Sequence, residues 1–272
     1  MSRHTDVLYI SHGGGPLPLL GDPGHQALVT SLQGYVSRLR RPDAIVVVSA
    51  HWEAWVPTLT AAEQPELIYD YHGFPDAAYR IRYPAPGYPQ LADQMRQQLQ
   101  SAGIKAELDQ QRGFDHGVFV PLKIMYPAAD IPCVQLSLVS SLSAEQHLAM
   151  GAALRNLPVA NLLVIGSGFS FHNMRAFFNG DTPQVETMNQ AFEDWLRDTC
   201  SNPALTEVER WQRLAHWEQA PHARFCHPRE EHLLPLQVCY GLAGKACDQH
   251  ESIEVLNRQA GMFYWALEGQ SD

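Results

Sequence analysis

The chain has 272 residues, 45% of them hydrophobic and 18% charged, which predicts one large globular domain with a substantial core, or two small ones. Its formal net charge of -10 repels phosphate backbones, so we expect no nucleic-acid partner. No apolar run reaches the 18 residues of a membrane span, so we expect no membrane association.

The cysteines and the N-terminal segment indicate where the protein resides. The chain has five cysteines, an odd number, and no two of them form a Cys-x-x-Cys pair. Residues 1–6 lead directly into a strand-like segment, without the apolar stretch of a secretory signal. A cytoplasmic protein with reduced thiols is the simplest interpretation.

Short apolar segments alternate with amphipathic segments along most of the chain. The apolar segments predict strands over residues 6–11, 44–50, 132–138 and 161–166. The amphipathic segments predict helices over residues 24–40, 88–103, 144–157, 184–200, 206–218 and 231–243. This alternation favours an α/β fold with a mostly parallel central sheet flanked by helices. In such folds, ligands bind beyond the carboxyl ends of the strands.

Three histidines follow predicted strands near the point where each strand ends. His12 and His51 come directly after the first two apolar runs, and His172 follows another run and a Gly-Ser-Gly turn. Because parallel strands end at the same edge of a sheet, we expect these three imidazoles to converge on one metal ion. Imidazole is a common ligand of zinc, iron, copper and nickel.

The remaining histidines are assigned by their local context. His116 lies in a glycine-flanked segment that predicts a tight loop, where an imidazole can act as an acid or a base. His227 and His232 are five residues apart and cannot share one helical face, so we expect at most one of them at the site. His232 should point inward, and His227 should be exposed or lie behind the site. Surface positions are expected for His4, His25, His147, His216, His222 and His250.

Two other kinds of site are disfavoured by the motifs. The triple glycine at 13–15 is not followed by Gly-Lys-Ser/Thr and completes no Gly-x-Gly-x-x-Gly pattern, so a nucleotide site is weakly supported. Residues 166–170 lack the glycine spacing of a Gly-x-Ser-x-Gly nucleophile elbow, which disfavours a serine hydrolase.

Five motifs occur in a fixed order: Ser11-His-Gly-Gly-Gly-Pro16, Val48-Ser-Ala-His-Trp52, Phe114-Asp-His-Gly117, Gly166-Ser-Gly…His172-Asn173 and Glu231-His-Leu-Leu-Pro-Leu236. In combination they resemble the motifs of class III extradiol ring-cleavage dioxygenases, and in particular the 4,5-DOPA extradiol dioxygenase-like branch. The resemblance runs from about residue 6 to about residue 245. Each motif alone is weak, but five in order are strong evidence.

The resemblance implies one catalytic domain over residues 1–272, with one mononuclear metal ion at the strand ends. Members open a catechol ring beside its two hydroxyl groups with O2, normally using Fe(II), and some are found with zinc. By position, His12, His51 and His232 correspond to metal ligands. His172 corresponds to a fourth ligand or to an acid/base close to the metal, and His116 to the second active-site histidine. The implied partners are a DOPA-like catechol and O2.

The implied chemistry suits these residue types. One histidine can remove a catechol proton while another assists O–O cleavage. The ordered aromatic segment 66–90 can lie over the site. Candidates to pack the substrate ring are Trp52, Tyr71, Phe114 and Phe171, and candidates to hold a substrate carboxylate are Arg175 and Arg229.

The third ligand position departs from the common extradiol pattern of two histidines and one carboxylate. It is occupied by His232, with Glu231 beside it. An all-histidine site also suits zinc, which has no redox chemistry. Two alternatives therefore stay open: a zinc hydrolase with His116 as general base, and a non-catalytic protein that binds metal or a catechol. The sequence does not fix the catechol, the ring bond, the physiological metal or the oligomeric state.

Overall fold

The computed structural model describes residues 3–178 and 182–269. Within these residues one sheet contains eight strands: β1 (His4–Ser11), β2 (Ala44–Ala54), β3 (Thr58–Thr60), β4 (Glu107–Asp109), β5 (Cys133–Val139), β6 (Asn161–Gly168), β7 (Gln249–Val255) and β8 (Arg258–Glu268). The strand order is β4-β3-β5-β2-β6-β1-β8-β7. The central pairs β5/β2, β2/β6 and β6/β1 are parallel, whereas β8 runs antiparallel to both β1 and β7. The predicted mostly parallel α/β sheet is confirmed.

The helices of the described ranges flank this sheet. They are α1 (Gln26–Arg38), α2 (Pro89–Ser101), α3 (His116–Met125), α4 (Ala144–Ala153), α5 (Met174–Phe178), α6 (Pro183–Ser201), α7 (Glu207–Ala215), α8 (Ala223–Cys226) and α9 (Leu234–Ala243). Among them, none is both long enough and apolar enough to cross a membrane.

Alternate residues of the central strands pack into two separate hydrophobic cores. In β1, Val7 and Tyr9 face the core formed with α2, α4, α6, α7 and α9, whereas Leu8 and Ile10 face the core formed with α1 and α3. All four side chains are completely buried. A central strand covered on both faces has no polar face, and this explains the continuous apolar runs of β1, β2 and β6.

Strand register brings the ends of β1, β2 and β6 together. Ser11 of β1 pairs with Gly168 of β6, and the next backbone N–H, that of His12, donates to the Gly168 carbonyl at 2.9 Å. The register of β2 against β5 shifts between Val48 and Glu53, so β2 is irregular around His51. Such irregularities re-aim side chains at the rim of a sheet.

Two of the differences from the predicted elements bear on the site. His116 is the first residue of the ten-residue helix α3, not part of a tight loop, and Pro121 lies inside that helix. The hairpin of β7 and β8 was not predicted from the sequence. β7 is the edge strand, and its polar residues face outward, so it has no apolar run.

Candidate metal centre and active site

Five histidines predicted at the site line one cavity of about 600 Å³ at the carboxyl end of the sheet. They are His12, His51, His116, His172 and His232. His12 and His51 come from the ends of β1 and β2, His116 begins α3, and His172 and His232 lie in the loops before α5 and α9. The structure thus brings together all five residues that the sequence singled out.

The five imidazoles form two groups that contact each other. In the first group, the Nε2 atoms of His12 and His51 are 3.0 Å apart, and the rings of His51 and His116 have centroids 3.9 Å apart. In the second group, His172 stacks on His232 with ring centroids 3.4 Å apart. The groups meet at His232, whose ring centroid is 5.3 Å from that of His12 and 4.9 Å from that of His51.

His12 is oriented by a hydroxyl group behind it. Its Nδ1 lies 3.0 Å from Ser167 Oγ, and Ser167 Oγ itself donates to the Gly117 carbonyl at 2.5 Å. Because the Ser167 hydroxyl proton is already donated to the Gly117 carbonyl, Ser167 Oγ acts as the acceptor for the Nδ1–H of His12. The Nε2 lone pair of His12 is then free to point into the cavity.

Asp70 orients the first group, and its role was missed by the sequence reasoning. One carboxylate oxygen lies 2.8 Å from Nδ1 of His116 and accepts the backbone N–H of His116 at 3.0 Å. The other oxygen lies 3.8 Å from Nδ1 of His51. Burial raises the pKa of Asp70, but its hydrogen bonds with His116 outweigh burial, and the net effect is a pKa below the usual value. The carboxylate therefore stays charged.

Glu231 orients the imidazoles of the second group, as Asp70 orients those of the first. Its Oε1 lies 3.0 Å from Nδ1 of His232 and 3.3 Å from Nδ1 of His172, while Arg229 lies 3.3 Å from Oε2. Burial raises the pKa of Glu231, but the hydrogen bonds with the two histidines outweigh it and lower the pKa well below its usual range. Glu231 therefore faces the Nδ1 side of these imidazoles and is not among the residues that line the cavity.

Burial keeps three of these imidazoles neutral. Desolvation, followed by the repulsion of neighbouring histidines, lowers the pKa of His12 and His51 well below 6.5. The same two causes lower the pKa of His232 to about 3, despite the opposing effect of Glu231. A neutral imidazole is the form that binds a metal ion.

The donor set fits a divalent metal ion. Metal–imidazole bonds of about 2.0–2.1 Å at tetrahedral or octahedral angles put two ligand nitrogens about 2.9–3.4 Å apart. The His12 and His51 Nε2 atoms, at 3.0 Å, match this separation. Potential ligand atoms of His12, His51 and His116 all lie within 4.8 Å of one another, as do those of His172, Glu231 and His232.

Backbone contacts fix the position of His232. Its carbonyl accepts the Tyr9 hydroxyl and the Phe169 N–H, each at 3.0 Å. A Cβ on Gly168 would collide with the same carbonyl. Only glycine at this strand end therefore allows β6 and the His232 loop to approach this closely.

Three predicted surface histidines, His4, His25 and His147, are buried instead, and His227 takes the second of its two predicted positions, behind the site. His4 contacts Asp6 and Glu268, His147 accepts the Val139 N–H, and His227 lies 2.7 Å from the Ser170 carbonyl, behind the site. His25 accepts the Gly14 N–H at 2.9 Å and contacts Asp22, so it supports the glycine loop after His12. Exposure is confirmed for His216 and His222, and His250 is half-buried.

Most of the predicted substrate-packing residues lie elsewhere. Only Tyr71 lines the cavity, so the 66–90 segment does reach the site. Trp52, Phe114 and Phe171 are buried in the protein. Arg229 is held by Glu53 in two hydrogen bonds of 2.6 and 2.7 Å.

Comparisons with known proteins identify the class. Residues 7–268 match the family described as the catalytic LigB subunit of aromatic ring-opening dioxygenase, and the chain belongs to this family. It is therefore a metal-dependent extradiol ring-cleaving dioxygenase that acts on a small aromatic substrate with O2. This membership favours oxidative ring opening over the zinc-hydrolase and non-catalytic alternatives.

Individual relatives match over most of their length. The chain is 41% identical to the dioxygenase tasH of Hapsidospora irregularis, over 87% of this chain and 78% of the relative. It is 37% identical to a 4,5-DOPA dioxygenase extradiol of Escherichia coli K12, over 93% of this chain and 89% of the relative. A crystal structure of an uncharacterized protein from the same bacterium matches with a TM-score of 0.70 at 33% identity, covering 96% of this chain and 99% of that one.

Proposed function

We propose that His12, His51 and His232 bind one catalytic Fe(II) ion, and that His116 and His172 act as acid/base groups on a catechol. The observation that carries this proposal is a shared orientation. Behind each imidazole, Nδ1 faces an oxygen of Ser167, Asp70 or Glu231, while the ring lines the cavity. Outer hydrogen bonds of this kind fix the tautomer and the direction of metal-binding histidines.

Iron is preferred over zinc for chemical reasons. When bound, Fe(II) supplies open coordination positions and the redox chemistry that O2 requires, which zinc lacks. The three proposed ligands are neutral imidazoles, and the nearest carboxylate, Glu231, lies behind two of the rings. Zinc is also accommodated by such a set, so we expect isolated protein to contain some inactive zinc.

His116 is suited to remove a proton from the substrate. Asp70 accepts from Nδ1 of His116, so the Nε2 lone pair is available to take a proton from a catechol hydroxyl group. The Asp70 carboxylate then stabilises the imidazolium that forms, as the aspartate of a catalytic triad does.

His172 is suited to act as the second acid/base group at the substrate. It is half-buried, lines the cavity, and shares the Glu231 carboxylate with His232. Its proximity to His232 places it next to the proposed ion. We assign it as an acid/base and not as a fourth ligand, so a His172→Ala protein should keep its metal.

Reconstitution with Fe(II) under anaerobic conditions tests the proposed function. Air and a catechol are then added while visible absorbance and O2 uptake are recorded, starting with L-DOPA because several relatives are named as DOPA dioxygenases. A yellow ring-opened product with matching O2 consumption, in the iron sample but not in a zinc-loaded control, is the expected result. No O2 uptake across a panel of catechols would contradict the proposal.

We also propose the domain organisation and the cellular location of the protein. We infer one catalytic domain over residues 1–272, because strands from residue 4 to residue 268 join in a single sheet. The five cysteines are free thiols, which fits the reducing cytoplasm. The oligomeric state is left to a sedimentation measurement.

A further inference from the structure

The cavity has a second end, which the proposed chemistry does not use. Opposite the histidines it is lined by apolar side chains, here called the outer wall: Leu17, Phe74, Met174, Phe177, Phe178 and Leu256. Tyr71 joins the two ends, because its ring contacts that of His116 at 5.8 Å and that of Phe74 at 5.5 Å between centroids. The volume of about 600 Å³ is within the range of drug-sized ligands and exceeds what a catechol ring alone fills.

Two side chains of the outer wall are exposed despite being large and apolar. Phe178 is 80% exposed and Met174 is 51% exposed, and both belong to the short helix α5. Phe177, between them, stacks on Phe169 at the cavity with centroids 5.6 Å apart. A contiguous exposed apolar surface at a cavity is typical of a ligand-binding surface.

Leu256 is held in a strained conformation at the outer wall. Leu256 and Asn257 form the turn between β7 and β8, with φ of +51° and +60°. Turns of this type favour glycine, asparagine or aspartate, and a branched side chain there is costly. The backbone N–H of Leu256 donates to the Gly24 carbonyl at 3.0 Å, and its side chain lies over Gly14 and Gly24. Backbone strain at Leu256 that places its side chain in the cavity lining indicates a role of Leu256 in binding.

The outer wall offers no cation to a charged substituent. All 19 lysines and arginines lie within the described residues, and none of them lines the cavity. Arg229 is paired with Glu53, and Arg175 is exposed outside the lining. Among the described residues, the one acidic side chain in the lining is Asp22, whose Oδ1 already accepts the Gly24 N–H and contacts His25.

We propose that the outer wall is a subsite for an uncharged apolar substituent, so that the preferred substrates are catechols carrying an alkyl or aryl side chain. This inference rests on the proposed function, since the histidine end must hold the two hydroxyl groups. A carboxylate placed against the outer wall would find no cationic partner there, whereas an alkyl or aryl group would gain contact with its apolar side chains. L-DOPA is then a poorer substrate than its uncharged counterpart.

Four catechols that differ mainly in charge test the subsite. The set is 4-propylcatechol, dopamine, 3-(3,4-dihydroxyphenyl)propanoate and L-DOPA. For the Fe(II)-loaded enzyme we expect 4-propylcatechol to have the highest kcat/KM, about tenfold or more above either carboxylate-bearing compound. An equal or higher value for L-DOPA would overturn the proposal, and so would a preference for dopamine, which would make Asp22 the recognition group. Loss of L-DOPA turnover in Arg175→Gln, with 4-propylcatechol unaffected, would also overturn it.

A matched pair of variants separates binding from folding. Leu256→Asn relieves the strained turn and removes the apolar side chain, so we expect an unchanged or higher Tm and a KM for 4-propylcatechol raised about fivefold or more. KM for unsubstituted catechol should stay the same. Leu142→Asn is the control, because Leu142 has the same φ of +51° but does not line the cavity. If Leu256→Asn and Leu142→Asn have the same KM for 4-propylcatechol, Leu256 is not part of the subsite.

Anaerobic calorimetry distinguishes failure of the subsite from failure of the proposed function. If no catechol is turned over, the ring-opening proposal fails, and the order of affinities for the four compounds still tests the outer wall. Tighter binding of 4-propylcatechol than of L-DOPA supports the subsite, and the reverse order overturns it.

Discussion

The two ends of the cavity are built on different principles. The histidine end rests on the ends of central strands, and its side chains are held from behind by Ser167, Asp70 and Glu231. The outer wall rests on the five-residue helix α5 and on a strained hairpin turn, and its side chains are held by few polar contacts. The proposed chemistry is therefore positioned by the sheet, and the proposed choice of substrate lies with elements that can change without disturbing the sheet.

Loss of one proposed ligand is expected to have the largest effect. His12→Ala or His51→Ala removes an imidazole nitrogen from the histidine end, so bound iron should be lost and turnover should fall by more than about 100-fold. Metal content by elemental analysis and O2 uptake measure the two effects. The control is His222→Ala, because His222 is exposed and does not line the cavity. Full metal occupancy in the His12 and His51 variants would refute the ligand set.

The two supporting carboxylates should have separable effects. Asp70→Asn should leave the metal in place and lower kcat about 10–100-fold, because Asp70 acts mainly on His116. Glu231→Gln should weaken metal binding by a similar factor, because Glu231 holds His232. Metal titration and steady-state kinetics distinguish the two. Asp130→Asn, at a surface ion pair with Arg41, should change neither quantity, and wild-type behaviour in both site variants would contradict this division.

His147 contrasts with the site histidines, because it is buried for structural reasons alone. Burial lowers its pKa to about 4, and its Nε2 accepts the Val139 N–H. In the unfolded chain its pKa returns to about 6.5, so the unfolded state binds more protons below that pH. Stability from this group is therefore complete above pH 6.5 and is lost progressively as pH falls towards 4, by up to about 3 kcal/mol. Urea unfolding between pH 7.5 and pH 5 should show a shallower pH dependence in His147→Gln, and identical slopes would disprove this.

Close packing behind His232 gives the smallest expected effect. Gly168→Ala forces a methyl group against the His232 carbonyl, so we expect a loss of about 1–3 kcal/mol in stability and weaker metal binding. Thermal unfolding with and without Fe(II) measures both. Gly34→Ala is the control: Gly34 lies inside α1 with its nearest contact at 3.7 Å, so this change should raise Tm slightly. A Tm increase in both variants would show that the close approach of the His232 carbonyl to Gly168 does not affect stability.

The histidine end was largely predictable from the sequence, because its residues are attached to strong local signals. Continuous apolar runs mark the buried strands before His12 and His51, and parallel strands have only one carboxyl edge at which those histidines can meet. The supporting residue Asp70 was not predictable. It lies in a loop whose path depends on packing over the sheet, and nothing around it in the sequence indicates contact with His116, 46 residues away.

Local polarity misled the prediction for buried histidines. His25 and His147 have polar neighbours in the sequence, yet both are completely buried because each ring is hydrogen bonded inside the protein. The outer wall was also not predicted, because local sequence gave no signal for the hairpin that contributes to it. Leu256 and Asn257 are an unusual turn pair, and the hairpin they join has a polar, exposed first strand.

The hydrogen bond from the Tyr9 hydroxyl to the His232 carbonyl joins residues 223 positions apart and has a consequence for biosynthesis. The β1 strand leaves the ribosome first, and the loop that it contacts follows 223 residues later. At 5–20 residues per second, roughly 10–45 s separate the two. Until that loop is made, the nascent chain carries an incomplete histidine cluster, so the full set of proposed ligands can assemble only after His232 has left the ribosome.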